Sequence, residues 1–499
     1  MRFSIVQVWG RPPGLPVTEP PAPCPCRSRN SGPEARLTGR PEVCPTLRRE
    51  QLLRFSIVAI GALTLGVCVA RAQTTNIAGS AIDLPTVLRL AGARNLDIQI
   101  AREGLNEAQA NRQIALEQFI PSLTPGAAYH QRDGMAQAVP AGTVSDTHFR
   151  SYAPGGTVAA QVVLGDAIYQ ALAARQLVKT SDQSLEAQRE DSALSAAQAY
   201  FDLLKAKALA DVIKEAVRIS QDYQQELHQA VGAGIAFKGD ELRVQTQTES
   251  YQISLRQALE QQRVAAVNLA QILHLDSTVD LVPHDADLAP LPLFPTNAAL
   301  ESLVRQALDS RPELKAGQAL IMAARDAKNG AVYGPLVPSV GAQVFAGGLG
   351  GGHEGGPDNF GHSEDYLVGL GWRIGPGGLF DFGRIRANQA RLAATRLGQT
   401  KLKDAVISQV VAAVTRVQSL SDQIGLAQRN LATANETFRL TRARKQYGVG
   451  IVLEDIQAQQ ALTQAHSDYV TAVAEHNKAQ YGLNKAVGGP PEAAAMRPQ

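Results

Sequence analysis

From Val406 onward the apolar residues fall at Val410, Ala413, Val417, Leu420, Ile424, Ala427, Leu431, Ala434 and Phe438. Steps of three and four alternate over four heptads, which is the seam of a coiled coil. Alanine at many of these positions implies close helix approach. The same rhythm appears more briefly earlier, at Leu194, Ala197, Phe201, Leu204 and Ala208. Elsewhere the period changes to two. In "YLVGLGWRI", Tyr366, Val368, Leu370, Trp372 and Ile374 share one face and Leu367, Gly369, Gly371 and Arg373 the other. In "PSVGAQVFAG", Val340, Ala342, Val344 and Ala346 share a face. These are strand patterns.

The chain repeats itself. "VGAGIAFKGDELRVQTQTES" at Val231 returns as "YGVGIVLEDIQAQQALTQA" at Tyr447. "ARNLDIQIA" at Ala93 aligns with "SRPELKAGQ" at Ser310, "FIPSLTPGAAY" at Phe119 with "LVPSVGAQVF" at Leu336, and "VVLGDAIYQALAARQ" at Val162 with "GLFDFGRIRANQARL" at Gly378. The offset is 216 or 217 residues each time. Landmarks in one order at one spacing are an internal duplication, and a short-period solenoid would recur far more often. Each half reads helix, strand, loop, strand, very long helix, turn, helix.

Lengths constrain how these pieces stack. Asp381–Gln446 contains no proline and as a helix spans roughly 100 Å. Asp166–Ala230 is its counterpart. The helices after the turns (Glu454–Val487 and Asp240–Leu273) and those opening each half (Leu84–Phe119 and Ala298–Val332) are about half as long. Two half-length helices end to end match one long helix, which predicts a tall helical wall. Each strand is expected to be about 9–11 residues, enough to cross a bilayer in a tilted barrel. Four strands cannot close a membrane barrel, so copies of the chain must complete it. Residues 133–151 and 346–365 read as long polar loops.

Composition adjusts this picture at the N-terminus. "RREQLLRFSIVAIGALTLGVCVARAQTT" has basic Arg48, Arg49 and Arg54, an apolar run to Ala70, then Ala70-Arg71-Ala72. This is a secretory signal, with cleavage expected after Ala72. Val67 precedes Cys68 where lipidation signals need a small residue, so Cys68 is not read as a lipid anchor. Residues 1–52 are expected to be spurious or unstructured, with translation starting near Leu53; "RFSIV" occurs at both Arg2 and Arg54. The expected organisation is a signal over 53–72, repeats over 73–275 and 298–488, a Pro-rich linker over 276–297 and a disordered tail over 489–499.

All four cysteines precede the cut, which leaves no disulfide, thiolate zinc site or catalytic thiol. Removing ten Arg and four acids from 48 basic and 46 acidic residues leaves 38 and 42, a balance that gives no reason to expect nucleic-acid binding. No nucleophile elbow, P-loop or HExxH occurs. The glycines of "GGLGGG" precede a strand rather than a helix, so no nucleotide site is read there. His353, Glu354 and His362 sit in a Gly-rich stretch and are read as loop residues. No enzyme activity, cofactor or metal is expected.

With "SRPEL" at Ser310, "GLFDFGR" at Gly378, and "LEDIQAQ" leading into Ala479, Leu483 and Gly488, the chain resembles the outer-membrane efflux protein family, the TolC-like channels of tripartite export systems. The resemblance spans about residues 84–488. It implies a mainly α chain with a membrane β-barrel portion: a homotrimer sharing a twelve-stranded barrel in outer-membrane lipid, continued into the periplasm by a twelve-helix coiled-coil tunnel. It further implies a passive conduit, with a periplasmic adaptor linking it to an inner-membrane RND or ABC transporter. The Gly-x-Gly turns (Gly232 and Gly234, Gly448 and Gly450) would be hairpin tips that meet the adaptor. Glu454 and Asp455 would narrow the periplasmic aperture, with Gln457 where a second acid is often found and Asp240 and Glu241 as their first-repeat equivalents. Arg444, Lys445 and Tyr447 would be gate links. Acids in a first helical turn are also favoured by the helix dipole alone, by roughly 0.3–1 kcal/mol each. The alternative is a periplasmic coiled-coil adaptor or scaffold without a barrel.

Overall fold

The seam positions are where the long helix packs. In the computed structural model, which describes residues 80–137, 142–276, 281–284, 288–295, 299–352, 360–446 and 451–489, Val406, Val410, Val417, Leu420, Ile424 and Ala434 are buried. Ala413, Ala427, Leu431 and Phe438 are partly buried against the same clusters. The helix carrying them, α7, is Phe382–Gln446, and its first-repeat counterpart α3 is Leu164–Gly232. At 69 residues, α3 is roughly 100 Å long. Their return partners are α4 (Lys238–Ile272) and α8 (Val452–Ala486).

The helices opening each repeat are not continuous as expected. The first divides into α1 (Leu84–Arg94) and α2 (Leu96–Glu117), the second into α5 (Leu300–Ser310) and α6 (Pro312–Tyr333). At Asn95 the side-chain oxygen accepts the N–H groups of Asp97 (2.7 Å) and Ile98 (3.3 Å). That N-cap stabilises an extended residue between two helices by about 1 kcal/mol. At Arg311 the following proline disfavours helical backbone, and the residue sits at φ −59°, ψ 126°. Asn95 and Arg311 differ chemically yet break the chain at equivalent places.

The helices form one layer. α2 and α4 pack along α3, while α6 and α8 lie between α3 and α7. The largest core gathers Tyr200, Phe201 and Leu203 of α3, Val87 and Leu88 of α1, Leu269 of α4 and Leu273 just after it. Phe201 meets Tyr481 of α8 at a ring separation of 5.7 Å, joining the two repeats. The inter-repeat linker is more ordered than its composition suggests. Strand β4 (Leu281–Pro283) pairs in parallel with β1 (Ser80–Ile82). Farther along, Asn477 accepts from the Leu291 N–H (2.8 Å) and donates to Ala289 O (2.9 Å), while Gln480 accepts from the Phe294 N–H (3.1 Å).

Beyond one end of the helices lies an antiparallel sheet in the order β2-β3-β5-β6. Its strands are β2 (Ser122–Gln137), β3 (Val144–Val163), β5 (Ser339–Gly352) and β6 (Gly361–Gly371). At 16, 20, 14 and 11 residues, the first three exceed the expected length. They run through much of the sequence read as loop. Small and polar residues obscure the alternation there, but backbone pairing continues, as in Asp133 opposite His148 and Gly347 opposite Ser363. Trp372 and Ile374 fall just past the end of β6.

The last helix of each repeat ends in a left-handed residue. In the second it is Gly488 (φ 72°); in the first it is His274 (φ 50°). Both close the same way, with backbone bonds Gly489 N to Asn484 O and Leu275 N to Ala270 O, each 2.9 Å. Histidine pays a steric cost in that conformation. His274→Gly should therefore raise stability by about 0.5–1 kcal/mol; a lower midpoint in detergent-solubilised thermal unfolding would contradict this account.

Candidate functional site

The hairpin between α3 and α4 ends in a built turn. The Gly234 N–H donates to Val231 O (3.0 Å) and the Ile235 N–H to Ala230 O (2.9 Å), with Gly234 at φ 73°. This is a Schellman closure, and Gly234 is the residue that needs to be glycine. Gly232 lies in the final helical turn. The turn leaves Ile235 and Phe237 83% and 82% exposed. Behind them Glu241 is buried. It receives Lys238 Nζ (2.7 Å) and His228 Nδ1 (2.9 Å), and these hydrogen bonds hold its carboxyl below the usual range. Asp240 is half-buried and pairs with Arg243 at 3.3 Å.

At the second tip, Tyr447, Gly448, Gly450 and the side chain of Lys445 lie outside the described residues. Arg444 reaches Glu454 at 3.5 Å, both side chains partly in solvent. An exposed pair of this kind is worth at most about 1 kcal/mol. Ile451 and Leu453 are exposed at the places corresponding to Ile235 and Phe237. Gln457 faces solvent, but Asp455 is only 3% exposed.

Asp455 and Glu241 are therefore both buried within the chain rather than open to solvent. Helical periodicity is the reason for Asp455. It shares a stripe with Gln459 and Thr463, and that stripe faces the first hairpin. Next to it Ile456 packs with Tyr223, Leu227 and Val244. Burial, and then the nearby Asp455 charge, raise the Tyr223 hydroxyl pKa well above its usual value. One turn on, Gln459 Nε2 donates to Ala216 O (2.9 Å), and Gln460 donates to Gln247 Oε1 (2.7 Å). The two hairpins thus meet near their tips through a seam of polar contacts beside one apolar cluster.

A second charged site sits where α5 breaks into α6. Arg311 is 3% exposed; its Nη1 donates to Gln409 Oε1 on α7 (2.6 Å), and its Nε lies 3.7 Å from Glu313. Facing it from α3 is Glu190, 9% exposed. Burial first, and then the Glu313 charge, push Glu190 up to about 7, against the attraction of Arg311 and Lys485. Sequence reasoning missed this cluster. "SRPEL" marked the place, but Glu190 enters only through the packing of α3.

The sheet has two unlike faces. Strand register places Leu123, Val158, Val344 and Tyr366 in one row, with Ala160, Ala342 and Val368 in the next and Val162, Val340 and Leu370 beyond. In the other direction that face reaches the Tyr129–Tyr152 pair, then Gln131–Arg150 and Asp133–His148. The opposite face carries mostly small or polar residues, among them Thr124, Thr157, Gln161, Gln343 and Gly369. Both faces and both edge strands, β2 and β6, lack cover within the described chain. His362 pairs with Glu364 at 2.9 Å on β6, while His353 and Glu354 lie outside the described residues.

The outer membrane efflux protein family matches this sequence twice, over residues 87–273 and 303–489. The chain belongs to that family. No curated protein sequence matches it. Among solved structures, the Campylobacter jejuni outer membrane channel CmeC is 16% identical, with 81% of this chain and 85% of that one covered at a TM-score of 0.69. The transmembrane channel CusC is 17% identical, covering 84% and 96% at 0.69. The Vibrio cholerae outer membrane protein VceC is 17% identical, covering 81% and 96% at 0.67. At these identities the likeness is one of fold. No described helix of this efflux protein is long and apolar enough to cross a membrane.

Glu190 gives the efflux protein a pH signature. Its folded-state pKa, about 7, lies above the ordinary 4.5, so the folded state holds the proton more tightly. Its contribution to stability should be fullest below the ordinary value and be lost as pH rises through about 7. Glu190→Gln should flatten that slope and be the more stable protein above pH 7; an unchanged slope in thermal unfolding would refute the assignment.

Proposed function

We propose that three copies of this chain close into an outer-membrane channel, the exit duct of a tripartite efflux system. The observation that carries the reading is the four-stranded sheet with two unpaired edges in a member of the outer membrane efflux family. In lipid an open edge leaves backbone groups without partners, so a membrane sheet must close. Pairing β6 of one copy with β2 of the next gives twelve strands, within the range of bacterial barrels. From Val162 to Tyr152 the apolar face runs about 33 Å along β3, or about 25 Å of height at the usual tilt, which suits a bilayer.

The helices support the same closure. The free flank formed by α2 and α4 exposes Ile100, Ile114 and Ile253, and the opposite flank, α7, exposes Leu397 and Leu426. Joined flank to flank, three copies make a twelve-helix tunnel. Its far end, in the periplasm, is formed by the hairpin tips, whose exposed Ile235, Phe237, Ile451 and Leu453 suit an apolar contact with an adaptor. The adaptor in turn engages an inner-membrane transporter of the RND or ABC type. Signal cleavage after Ala72 delivers the chain to that compartment.

The aperture is held narrow by the polar seam, with Asp455 directed at Tyr223 and Glu454 and Asp240 nearer to solvent. Single-channel conductance in planar bilayers tests this. Asp455→Ala and Tyr223→Phe should each raise a small resting conductance several-fold, whereas Glu454→Ala should change it less, because its pair with Arg444 is solvated. Equal conductance in all three variants would move the gate elsewhere. Protein that stays soluble without detergent and never inserts would favour the adaptor or scaffold alternative.

A further inference from the structure

Between sheet and helices the chain exposes large apolar side chains at successive crossings: Ile120 before β2, Leu336 before β5 and Ile374 after β6. The last crossing, Trp372–Phe382, is the most constrained. Leu379 N donates to Arg373 O (2.8 Å) and Gly375 N to Leu379 O (2.9 Å). Asp381 accepts the N–H groups of Gly377 (2.8 Å) and Arg384 (2.9 Å), and the Arg384 guanidinium grips Asp166 of α3 at 2.6 and 3.0 Å. The turn is therefore fixed to the top of the helical layer.

Within it Phe380 sits at φ 67°; among the described residues only it and His274 are non-glycine residues with positive φ. A phenylalanine adopts that conformation at a steric cost that glycine would not pay. Its ring gains little from the fold in return. It is 69% exposed and meets Phe382, itself 61% exposed, at a centroid distance of 6.3 Å. Trp372 is 58% exposed, with its ring fixed by Nε1–H donating to Leu336 O (3.2 Å). Arg373 and Arg386 are exposed, and neither has a carboxylate partner among the described residues.

We infer that this strained turn is a lipid anchor, which binds the headgroup zone of the periplasmic leaflet of the outer membrane. The inference rests on the membrane reading of the sheet above. The apolar face ends at the Val162–Val340–Leu370 row, immediately before Trp372. Aromatic residues girdle membrane barrels at the membrane–water boundary, and an indole, with its one polar edge, suits the glycerol region in particular. Arg373 and Arg386 complement the phosphates of those same lipids. The anchor fixes the depth of the barrel because Asp381, Arg384 and Asp166 tie the turn to the helices. The strain at Phe380 is retained because the ring's partner is lipid.

The chain has two tryptophans, Trp9 and Trp372, and Trp9 precedes the expected cleavage site. Trp372 is then the sole fluorophore of its kind in protein purified from outer membranes. In phosphatidylethanolamine–phosphatidylglycerol vesicles, lipids brominated near the glycerol should cause a roughly two-fold loss of its emission, and lipids brominated near the chain end little loss. In the double variant Trp372→Phe/Phe380→Trp the reporter moved to position 380 should behave alike. Quenching by aqueous acrylamide with no effect of either bromolipid would place the turn in water and overturn the proposal. Resistance to both quenchers would bury it between copies and overturn it too. In either case the channel reading stands if the vesicles still conduct; protein that never joins the vesicles overturns both.

Discussion

Unpaired backbone at the two edges of the sheet is the constraint from which the rest follows. A strand edge in water can bond to solvent, whereas a strand edge in hydrocarbon has nothing else to bond. On the membrane reading β2 and β6 are such edges, and among the described residues no fifth strand covers them. On that reading the sheet is one sector of a closed barrel. The helical layer has the same incompleteness, with apolar side chains along both flanks instead of hydrogen-bonding groups. Sheet and helices leave open the same two sides of the protomer, so one set of neighbours can satisfy both.

Duplication explains how a single chain makes a sector with matched height. Each repeat lays one long helix beside three shorter ones, and the break between the first two of these falls where the linker and the aromatic core sit. Asn95 and Arg311 make that break by different means, a side-chain cap and a proline. Only the second brings charge. Arg311 ties α5 and α6 to α7 through Gln409 and faces Glu190 of α3. A buried cluster with two carboxylates and one guanidinium is costly to assemble, and it stands beside the C-terminus of α8, where Ser310 donates to Val487 O (2.6 Å).

Much of this was legible in the sequence because two regular periods dominate it. The heptads of α7 gave its seam correctly, and the offset of 216 or 217 residues paired the elements. The strand ends were not legible. Beyond the bilayer-length core, glycines and polar residues lose alternation, while backbone pairing extends regardless of side chain. The helix breaks were hidden for a related reason: Asn95 acts through one local hydrogen-bond pattern that periodicity does not register. The burial of Asp455 and Glu241 was not legible because an acid in a first turn has the same sequence signature whether it faces solvent or a neighbouring helix. Asp455 and Glu454 are adjacent, yet 100° of helical rotation separates a buried side chain from a solvated one.

The chemistry of the seam between hairpins changes along its length, and that gradient bears on how the proposed tunnel would open. Midway, Phe201 and Tyr481 join the repeats with aromatic and apolar contacts that lose free energy when exposed to water. Nearer the tips polar contacts stand beside one small apolar cluster: Gln459 to the Ala216 carbonyl, Gln460 to Gln247 and Asp455 beside Tyr223, with Ile456 against Leu227 and Val244. Water can replace the partners of these groups, so parting them costs little once the hairpins begin to separate. An apolar seam would resist parting throughout and then re-close without register. A polar one specifies the closed arrangement and still releases it. Opening should accordingly be confined to the tip end, with the aromatic core and the linker as the fixed part about which the hairpins move.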